Sequence, residues 1–522
     1  MRSIVYSQTR NSVRIAQRST GRWKYASPAA AVRWSSSKRK ARQWSTPLAK
    51  QLSEAITTTG PIPLASFMRM CLTSDMGGYY MSSDEGRDQF GQKGDFITSP
   101  EISQIFGELI AVWFVAEWMG QGRRKEGVEL IEIGPGRGTL MDDILRTMKN
   151  FKTLASGIEA VYLVEASPSL REAQRKLLCG NSPMTETEIG HRCISRYAGI
   201  PVIWTENIRF VPSNPEKTPF IVAHEFFDAL PIHAFQSIAP SDSLQEKDSD
   251  TIQTPTGIHK ISPEIAQQKK KKKGPQWREM VISPTPPDST HRTLSTPKSR
   301  QSQNPPPEFQ LTISQASTPH SLYLPEVSPR YRALKAIPDS LIEISPESHA
   351  YAQDFARRIG GSKENPKKTP SGAAIILDYG PLDTIPTNSL RGIKAHKRVS
   401  PLSEPGLVDL SADVDFVALA EAALGASEGV EVYGPVEQGD FLRAMGIEER
   451  AGALVKSIKL KEVRAGKWMD EGEEVVQRVD GAWKRLVERG GGGMGKVYKA
   501  MAIVPESGGT RRPVGFGGIV GG

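Results

Sequence analysis

One segment, VELIEIGPGRGTLMDDIL at residues 128–145, constrains the fold more than any other part of the chain. An apolar run typical of a buried strand leads into three glycines, and apolar residues then repeat at helical spacing. The glycines are Gly134, Gly136 and Gly138. A strand, a glycine loop and a helix in this order place backbone N–H groups at a helix N-terminus, with no side chains to exclude a ligand. The segment therefore predicts a ligand-binding loop at the end of a strand in an α/β sheet.

Short apolar runs and amphipathic stretches continue to alternate as far as residue 235. The helix that opens at Ser167-Pro168 is predicted to bury Leu170, Ala173 and Leu177. Because strands that alternate with helices form parallel sheets covered on both faces, the fold class is predicted to be α/β, with a doubly wound sheet. Strands are predicted at 128–133, 160–166, 201–204, 219–223, 372–380, 430–434 and 496–504, and helices at 409–424 and up to Gly446.

The chain divides by composition into a leader, an N-terminal segment, an interrupted sheet domain and a tail. Low-complexity sequence interrupts the domain around two strand-like runs, at 277–282 and 309–313, which predicts an inserted hairpin with disordered loops. Two helices are predicted within 48–74. The predicted boundaries are 1–47 for the leader, 48–125 for the helical and loop segment that covers the site, 126–505 for the sheet domain with insertion 237–330, and 506–522 for a flexible tail.

The positive charge of the chain belongs to its N-terminus. The formal net charge is +9, but residues 1–50 contain 12 Lys and Arg and no acidic residue, so removing those 12 charges leaves −3 for the rest. A leader rich in Arg and Ser and free of acids is typical of a mitochondrial transit peptide, with a disordered RNA-binding arm as the alternative. The slightly acidic remainder argues against nucleic acid as a partner.

The sequence also disfavours a site built from cysteines and a membrane-spanning helix. The three cysteines include no CxxC pair, which excludes a disulfide framework and a cysteine-rich zinc site, and no metal is expected. The most apolar region, 102–118, contains Glu108 and Glu117. It is therefore interpreted as a buried helix, and no membrane span is expected.

The spacing of the glycines and the acids beside them selects the cofactor. The third glycine comes one residue early for a dinucleotide fingerprint, and no Lys-Ser/Thr follows as in a P-loop. Glu132 would repel a pyrophosphate but attract a sulfonium or ammonium group. Glu165 ends the second strand, where it can bind ribose hydroxyls. This layout is that of class I methyltransferases and predicts S-adenosyl-L-methionine. The alternatives are a ligand-free turn and an NAD-dependent oxidoreductase.

A second acidic stretch, HEFFDALPI at 224–232, follows the fourth strand. Ligands of doubly wound sheets lie at the carboxyl ends of the strands, so Glu225 and Asp228 are candidate catalytic residues that could hold a guanidinium group. The alternative is an acidic first turn of a helix, with the aromatic residues as core. The loop at 94–101, which contains Gly94, Asp95, Thr98, Ser99 and Pro100, is predicted to close over cofactor and substrate.

With these motifs, the chain resembles the mitochondrial NDUFAF7/MidA family of arginine methyltransferases, which act as assembly factors of respiratory complex I. The resemblance covers most of residues 55–450. The family usually has Asn before the glutamate, where this chain has His224. The matching blocks are GPIPLASFMRMCL, GDFITSPEISQIFGELIAVW, LIEIGPGRGTLMDDILR, YLVEASPSLRE, HEFFDALPIHAFQ, WREMVI, ILDYG, SLRGIKAHK and PGLVDLSADVDF.

The resemblance implies an enzyme of the mitochondrial matrix that uses S-adenosyl-L-methionine. It further implies type II chemistry, the symmetric dimethylation of an arginine on a core subunit of complex I. Two alternatives stay open from the sequence. One is a non-catalytic assembly chaperone with a vestigial pocket, and the other is a methyltransferase for RNA or small molecules.

Overall fold

The predicted central strand is present at Val128–Ile133, where all six residues are buried. Most residues from Trp44 onward are described, and they belong to one compact unit. The computed structural model describes residues 42–81, 97–239, 251–254, 257–260, 262, 274–291, 306–465 and 470–517.

Strands and helices are numbered here in chain order. The strands are β1 (Ile62–Pro63), β2 (Val128–Ile133), β3 (Ile158–Val164), β4 (Thr185–Thr187), β5 (Gly190–Ile194), β6 (Pro201–Thr205), β7 (Thr218–His224), β8 (His233–Ile238), β9 (Thr251–Thr254), β10 (Gly257–Lys260), β11 (Gln276–Pro284), β12 (Phe309–Ile313), β13 (Leu341–Ile344), β14 (Ala373–Tyr379), β15 (Arg391–Lys394), β16 (Lys397–Val399), β17 (Asp409–Ser411), β18 (Val430–Glu437) and β19 (Tyr498–Pro505). The α-helices are α1 (Pro47–Thr59), α2 (Leu64–Thr73), α3 (Ser99–Ile102), α4 (Gln104–Gly120), α5 (Thr139–Met148), α6 (Lys152–Gly157), α7 (Pro168–Cys179), α8 (Pro319–Tyr323), α9 (Pro329–Leu334), α10 (Pro346–Gly360), α11 (Phe416–Ala426), α12 (Gln438–Ala444), α13 (Ile447–Ala465) and α14 (Asp470–Val487).

The main sheet is doubly wound, as predicted. Its strand order is β18-β19-β14-β7-β2-β3-β6-β5-β4. The five central strands, from β14 to β6, run parallel, whereas the strands at both edges are antiparallel. From β2 the chain first builds outward through β3 to β6 and then crosses back to β7 on the other side. Such a reversal of strand order opens a crevice between β2 and β7 at their carboxyl ends.

The side chains of alternate residues in the central strands are buried against helices on opposite faces of the sheet. Leu130 and Val161 belong to the core cluster formed with α4 and α5. Ile131 and Tyr162 belong to a second cluster, formed with α10 and α11. This period of two is the packing expected for strands that are covered on both faces.

A second, antiparallel sheet adjoins the first and contains the predicted inserted hairpin. Its strand order is β1-β11-β8-β13. Strand β12 pairs with the C-terminal part of β11, from Met280 to Pro284. Helices α1 and α2 pack on this sheet, where Leu48 and Phe67 share a buried cluster with Ile282 and Phe309. Two small sheets, β9–β10 and β16-β15-β17, complete the described strands.

Several details differ from the sequence predictions. The helix predicted at 409–424 begins only at Phe416, where the side chain of Asp415 caps it. The first residues of the predicted helix, Asp409–Ser411, instead form a strand that pairs with Arg391–Lys394. The helix predicted to end at Gly446 ends at Ala444, and the long helices α13 and α14 were not predicted. Residues 1–41 of the predicted leader, Gly94, Asp95 and most of the low-complexity stretches within the insertion lie outside the described residues. Among the residues described, no helix combines the length and apolar character needed to cross a membrane.

Phe355 on α10 gives a test of the core beneath the crevice. Its side chain is fully buried, and its ring lies 6.2 Å from that of Phe227. We expect Phe355→Ala to lower the free energy of unfolding by about 3–5 kcal/mol, because it removes buried apolar surface and leaves a cavity. Urea unfolding followed by circular dichroism measures the change. Phe210→Ala is the control, since Phe210 is 53% exposed and should change stability by no more than about 0.5 kcal/mol. Equal effects of the two substitutions would contradict the packing.

Candidate functional site

A cavity lies at the carboxyl ends of β2, β3 and β7, where the reversal of strand order predicts a ligand. The loop after β2, the residues after β3 and the turn after β7 line it. The N-terminal segment closes the cavity with Leu72 and Tyr80 on one side and Thr98 on another. Tyr351 from α10 completes the lining.

The glycine loop adopts a conformation that only glycine takes without strain. Gly134, Gly136 and Gly138 have φ values of +65°, +53° and +84°. A Cβ at Gly134 would lie 2.7 Å from Cδ2 of Phe226, and one at Gly138 would lie 3.2 Å from Cγ of Gln174. Gly138 is the N-cap of α5, so the loop leads directly into the helix N-terminus. The positive φ values and these close contacts require glycine at the three positions, and the approach of a ligand to the loop backbone stays a prediction.

Gln174 holds the glycine loop and Glu165 together. It is fully buried, and its Nε2 donates to the carbonyl of Gly136 at 2.6 Å and to Oε2 of Glu165 at 3.2 Å. Its Oε1 accepts a hydrogen bond from Trp204 Nε1 at 2.8 Å.

The predicted face of α7 was therefore wrong by one position. The residues expected to be buried, Leu170, Ala173 and Leu177, are only partly buried, whereas Gln174, Leu178 and Cys179 are buried. The polar Gln174 occupies a core-facing position because it has three hydrogen-bond partners there.

Two buried carboxyl groups face the cavity from β2 and β3. Burial, together with the smaller effect of the neighbouring charge of Glu165, raises the pKa of Glu132 to about 8. Burial also raises the pKa of Glu165 to about 7, although hydrogen bonds from the Ser167 N–H and from Gln174 oppose the shift. Oε2 of Glu132 is buried and has no hydrogen-bond partner among the described residues. A buried, unpartnered carboxyl oxygen beside a glycine cradle fits a ligand that carries a positive charge.

The segment around Thr98 forms a short capped helix against the glycine loop. Thr98 and Glu101 form a capping box at the start of α3. Glu101 also lies 3.7 Å from Arg137 of the glycine loop, which links the two walls of the cavity by an ion pair. The Ser99 side chain is fully buried, and its backbone N–H lies 3.4 Å from Oε1 of Glu225.

Asp378, the acid at the end of β14, fixes the turn that carries Glu225. It is fully buried, and its Oδ2 accepts hydrogen bonds from the backbone N–H groups of Phe226, Phe227 and Asp228 at 3.0, 2.8 and 3.3 Å. Glu225 itself has a φ of +49°, a left-handed conformation that is uncommon for a residue with a side chain. The carboxylate thus stabilises a strained turn at the mouth of β7.

Glu225 lies in a buried, largely neutral environment. Burial and the neighbouring Asp228 raise its pKa well above the ordinary value, although the Ser99 backbone N–H and the nearby Tyr498 hydroxyl oppose the shift. Nε2 of His224 lies 3.3 Å from its Oε1, and burial lowers the pKa of His224 to about 3, so the imidazole is neutral. A cation that enters beside Glu225 would favour the ionised carboxylate.

Asp228 lies behind the turn and faces away from the cavity. Its Oδ2 is 3.9 Å from Arg391, whose guanidinium also pairs with Asp413 and lies over the ring of Tyr379 at 4.8 Å. Burial raises the pKa of Asp228 to about 6, although the charge of Arg391 opposes the shift.

The structure thus brings most, but not all, of the predicted site residues to one cavity. Asp228, Ser99 and Gly138 do not line it and support it from behind. The residues that do line it are Glu132, Gly134, Gly136, Glu165, Thr98, Pro100 and Glu225.

Sequence reasoning missed Gln174, Asp378, Arg391 and Tyr498. Asp378 carried a usable signal, since an acid at the carboxyl end of a central strand is the same pattern that selected Glu132 and Glu165. The other three follow no such pattern and meet the site only through the tertiary fold.

Comparisons with known proteins agree with this geometry. Residues 109–436 match a family model described as an S-adenosyl-L-methionine-dependent methyltransferase. The chain is 33% identical over 459 residues to the mitochondrial protein arginine methyltransferase NDUFAF7 of Xenopus tropicalis, covering 87% of this chain and 84% of the relative. It is 32% identical over 423 residues to the human protein of the same name, covering 80% of this chain and 78% of the relative.

A solved structure has the same fold. It is a crystal structure of a protein from Burkholderia thailandensis bound to S-adenosyl-homocysteine. The TM-score is 0.56 at 19% identity, and the match covers 90% of this chain and 92% of that one. Together with the match to the family model and to the relatives over most of their length, the glycine loop and the sheet order lead to one conclusion. The chain belongs to the NDUFAF7 family of S-adenosyl-L-methionine-dependent methyltransferases.

Proposed function

We propose that this chain transfers a methyl group from S-adenosyl-L-methionine to an arginine side chain of a protein. One observation carries the proposal: a single cavity beside the glycine loop is lined both by Glu132, which has a carboxyl oxygen without a partner among the described residues, and by the buried carboxyl of Glu225. Two acids in one dry crevice suit two cationic groups, a sulfonium donor and a guanidinium acceptor. The family relationship supports the same pairing, because the curated relatives are named protein arginine methyltransferases.

In this proposal the cofactor lies along the glycine loop. The bound cofactor supplies a methyl group on a positively charged sulfur. Gly134 and Gly136 leave room for its methionine part, Glu132 faces the positive end, and Glu165 accepts hydrogen bonds from the ribose hydroxyls. Thr98 and Pro100 cover the cavity from the N-terminal side and exclude water.

The acceptor would lie on the other side of the cavity, beside Glu225. Its carboxylate would bind the guanidinium through charge-assisted hydrogen bonds and turn one nitrogen toward the methyl group. With the methyl group supplied by the bound cofactor, the guanidinium nitrogen that receives it would lose a proton. Glu225 is placed to accept this proton. Asp228 acts from behind, by holding Arg391 and the base of the turn.

We further propose the finer details that the family resemblance implies. The product would be symmetric dimethylarginine, and the substrate a core subunit of respiratory complex I in the mitochondrial matrix. The names of the relatives place them in mitochondria, and the acid-free leader is consistent with the same destination. The net charge of −3 beyond residue 50 favours a protein substrate over nucleic acid.

Glu132→Gln tests the cofactor side of the proposal. It keeps the size of the side chain but removes the charge that faces the sulfonium. We expect affinity for S-adenosyl-L-methionine to fall roughly 10- to 150-fold, the effect of losing one interaction with a charged group. Isothermal titration calorimetry measures the dissociation constant. Glu186→Gln, at an exposed position on β4, is the matched control and should bind like the parent. Undiminished affinity in Glu132→Gln would rule out this placement of the cofactor.

The same substitution tests the electrostatics without any ligand. The pKa of Glu132 rises from an ordinary 4.5 to about 8 on folding, so the unfolded chain releases this proton first as the pH rises. The contribution of Glu132 to stability therefore decreases between about pH 4.5 and pH 8. We expect Glu132→Gln to gain stability relative to the parent across this interval, measured by urea unfolding at several pH values. If the difference in free energy of unfolding between the variant and the parent did not change with pH, Glu132 would ionise with an ordinary pKa.

Glu225→Gln tests the acceptor side. We expect methyl transfer to fall by about 10²–10³, because the variant lacks the charge that orients the guanidinium, while cofactor affinity is retained. Mass spectrometry of complex I subunits gives the readout, in cells that lack the protein and express either the parent, Glu225→Gln or Glu186→Gln. Normal arginine methylation with Glu225→Gln would contradict the assignment. Full complex I assembly without methylation would instead favour the chaperone.

A further inference from the structure

The second sheet carries a cluster of two imidazoles and a carboxylate that the methyl-transfer cavity does not use. His233 begins β8, Glu279 lies in β11 and His320 lies in α8. Their three ligand atoms all lie within 4.8 Å of one another. None of the three residues lines the methyl-transfer cavity.

The sheet register and a returning loop bring these residues together. Glu279 pairs with Phe235 in the antiparallel ladder, so the side chain of His233, two residues away, lies on the same face of the sheet. The segment before α8 continues the pairing of β12 with β11, where the backbone N–H of Ser314 donates to the Glu279 carbonyl at 2.8 Å. This brings His320 over the two strands.

The side chains converge on one oxygen atom. Nδ1 of His233 lies 2.7 Å and Nδ1 of His320 lies 3.4 Å from the same Oε1 of Glu279. The two imidazole rings lie against each other, with centroids 4.2 Å apart. Thr318 donates a hydrogen bond to the other carboxylate oxygen, Oε2. The first oxygen is thus the meeting point of both rings, and the second is held in place.

Glu279 is ready to act as an anionic ligand. Its side chain is fully buried. Its two oxygens are contacted by His233, His320 and Thr318, whose side chains can each donate a hydrogen bond to a carboxylate. A buried carboxylate needs a compensating positive charge, and no Lys or Arg forms an ion pair with Glu279 among the described residues.

We propose that His233, Glu279 and His320 bind a divalent transition metal ion of the Zn²⁺ class. Imidazole and carboxylate ligands suit zinc, and metal–ligand bonds of about 2.0–2.2 Å in a tetrahedron separate the ligand atoms by roughly 3.4 Å. The distances between the three groups require adjustments of less than about 1.5 Å from that arrangement. Thr318 orients the carboxylate from outside the coordination sphere, as partners of metal ligands commonly do.

The ion would tie three separate parts of the chain together. β8 follows the turn that carries Glu225, β11 is the first strand of the inserted hairpin, and α8 follows the return of that insertion to the sheet. Three protein ligands leave a fourth position for water. The sequence predicted no metal because the three ligands are far apart in the chain and match no short motif. The pairing of β8 with β11 and the position of α8 beside them bring the three ligands together.

The test is a cobalt titration of the purified, full-length chain after dialysis against EDTA. We expect one equivalent of Co²⁺ to produce the visible absorption bands of a four-coordinate ion, and Zn²⁺ to displace them. His320→Gln should weaken Co²⁺ binding by more than about 10-fold, since even changes to the partners of metal ligands have effects of this size. His320 is the best position to change, because its side chain is 41% exposed and tolerates substitution.

His191→Gln is the matched control, because His191 lies in β5 of the main sheet. It should give the parent spectrum, and Zn²⁺ should raise the melting temperature of the parent and of this control but not of His320→Gln. Circular dichroism checks that each variant is folded. Two results would overturn the proposal: a folded parent that gives no cobalt bands, which leaves a metal-free hydrogen-bond cluster, or bands that persist unchanged in His320→Gln. Neither result bears on cofactor binding, which is measured separately.

Discussion

The carboxyl groups gathered at the carboxyl ends of the central strands are buried, and burial raises the pKa of each. Glu132, Glu165, Glu225, Asp228 and Asp378 all belong to this group. Desolvation of so many acids in one crevice opposes folding unless the acids stay protonated, gain hydrogen bonds or meet a cation. The architecture of the site follows from the hydrogen bonds and ion pairs that each acid makes within the protein. It also follows from the two acids that make few of them.

Three of these acids are satisfied by the protein. Asp378 collects backbone N–H groups of the turn after β7, Glu165 is held by Gln174 and the Ser167 N–H, and Asp228 lies beside Arg391. Glu132 and Glu225 differ, because the first has an oxygen without a partner among the described residues, and the second lies near the acid Asp228 with no Lys or Arg paired to it in the described part of the chain. Both of them line the cavity. A ligand pair with two positive centres would relieve both, which is the physical basis of the proposed methyl transfer.

The sequence predicted the frame of this site well, because the frame is encoded locally. The apolar run of β2, the spacing of Gly134, Gly136 and Gly138, and the acid after each strand are all short-range patterns. The supporting contacts are not local. Gln174 looks like an ordinary polar residue of an amphipathic helix until its distance from Gly136 is known. Helix α13 was missed because its charged sequence carries weak apolar periodicity. Helix α14 has a clear amphipathic pattern that the sequence prediction did not use. The strand at Asp409–Ser411 was missed because its partner, Arg391–Lys394, is not adjacent in the chain.

The insertion looks like added loops in the sequence, but its ordered strands belong to the support of the site. β11 pairs with β8, which leaves the turn that carries Glu225, and at its other end it pairs with β1, from which α2 extends to the cavity wall at Leu72. One strand of the insertion therefore connects the acceptor side of the cavity with its N-terminal cover. Loss of that strand would separate the two walls while leaving the glycine loop intact. A disturbance of the second sheet should consequently affect the acceptor side more than the cofactor side, since the glycine loop extends from β2 in the main sheet and is held by Gln174 of α7.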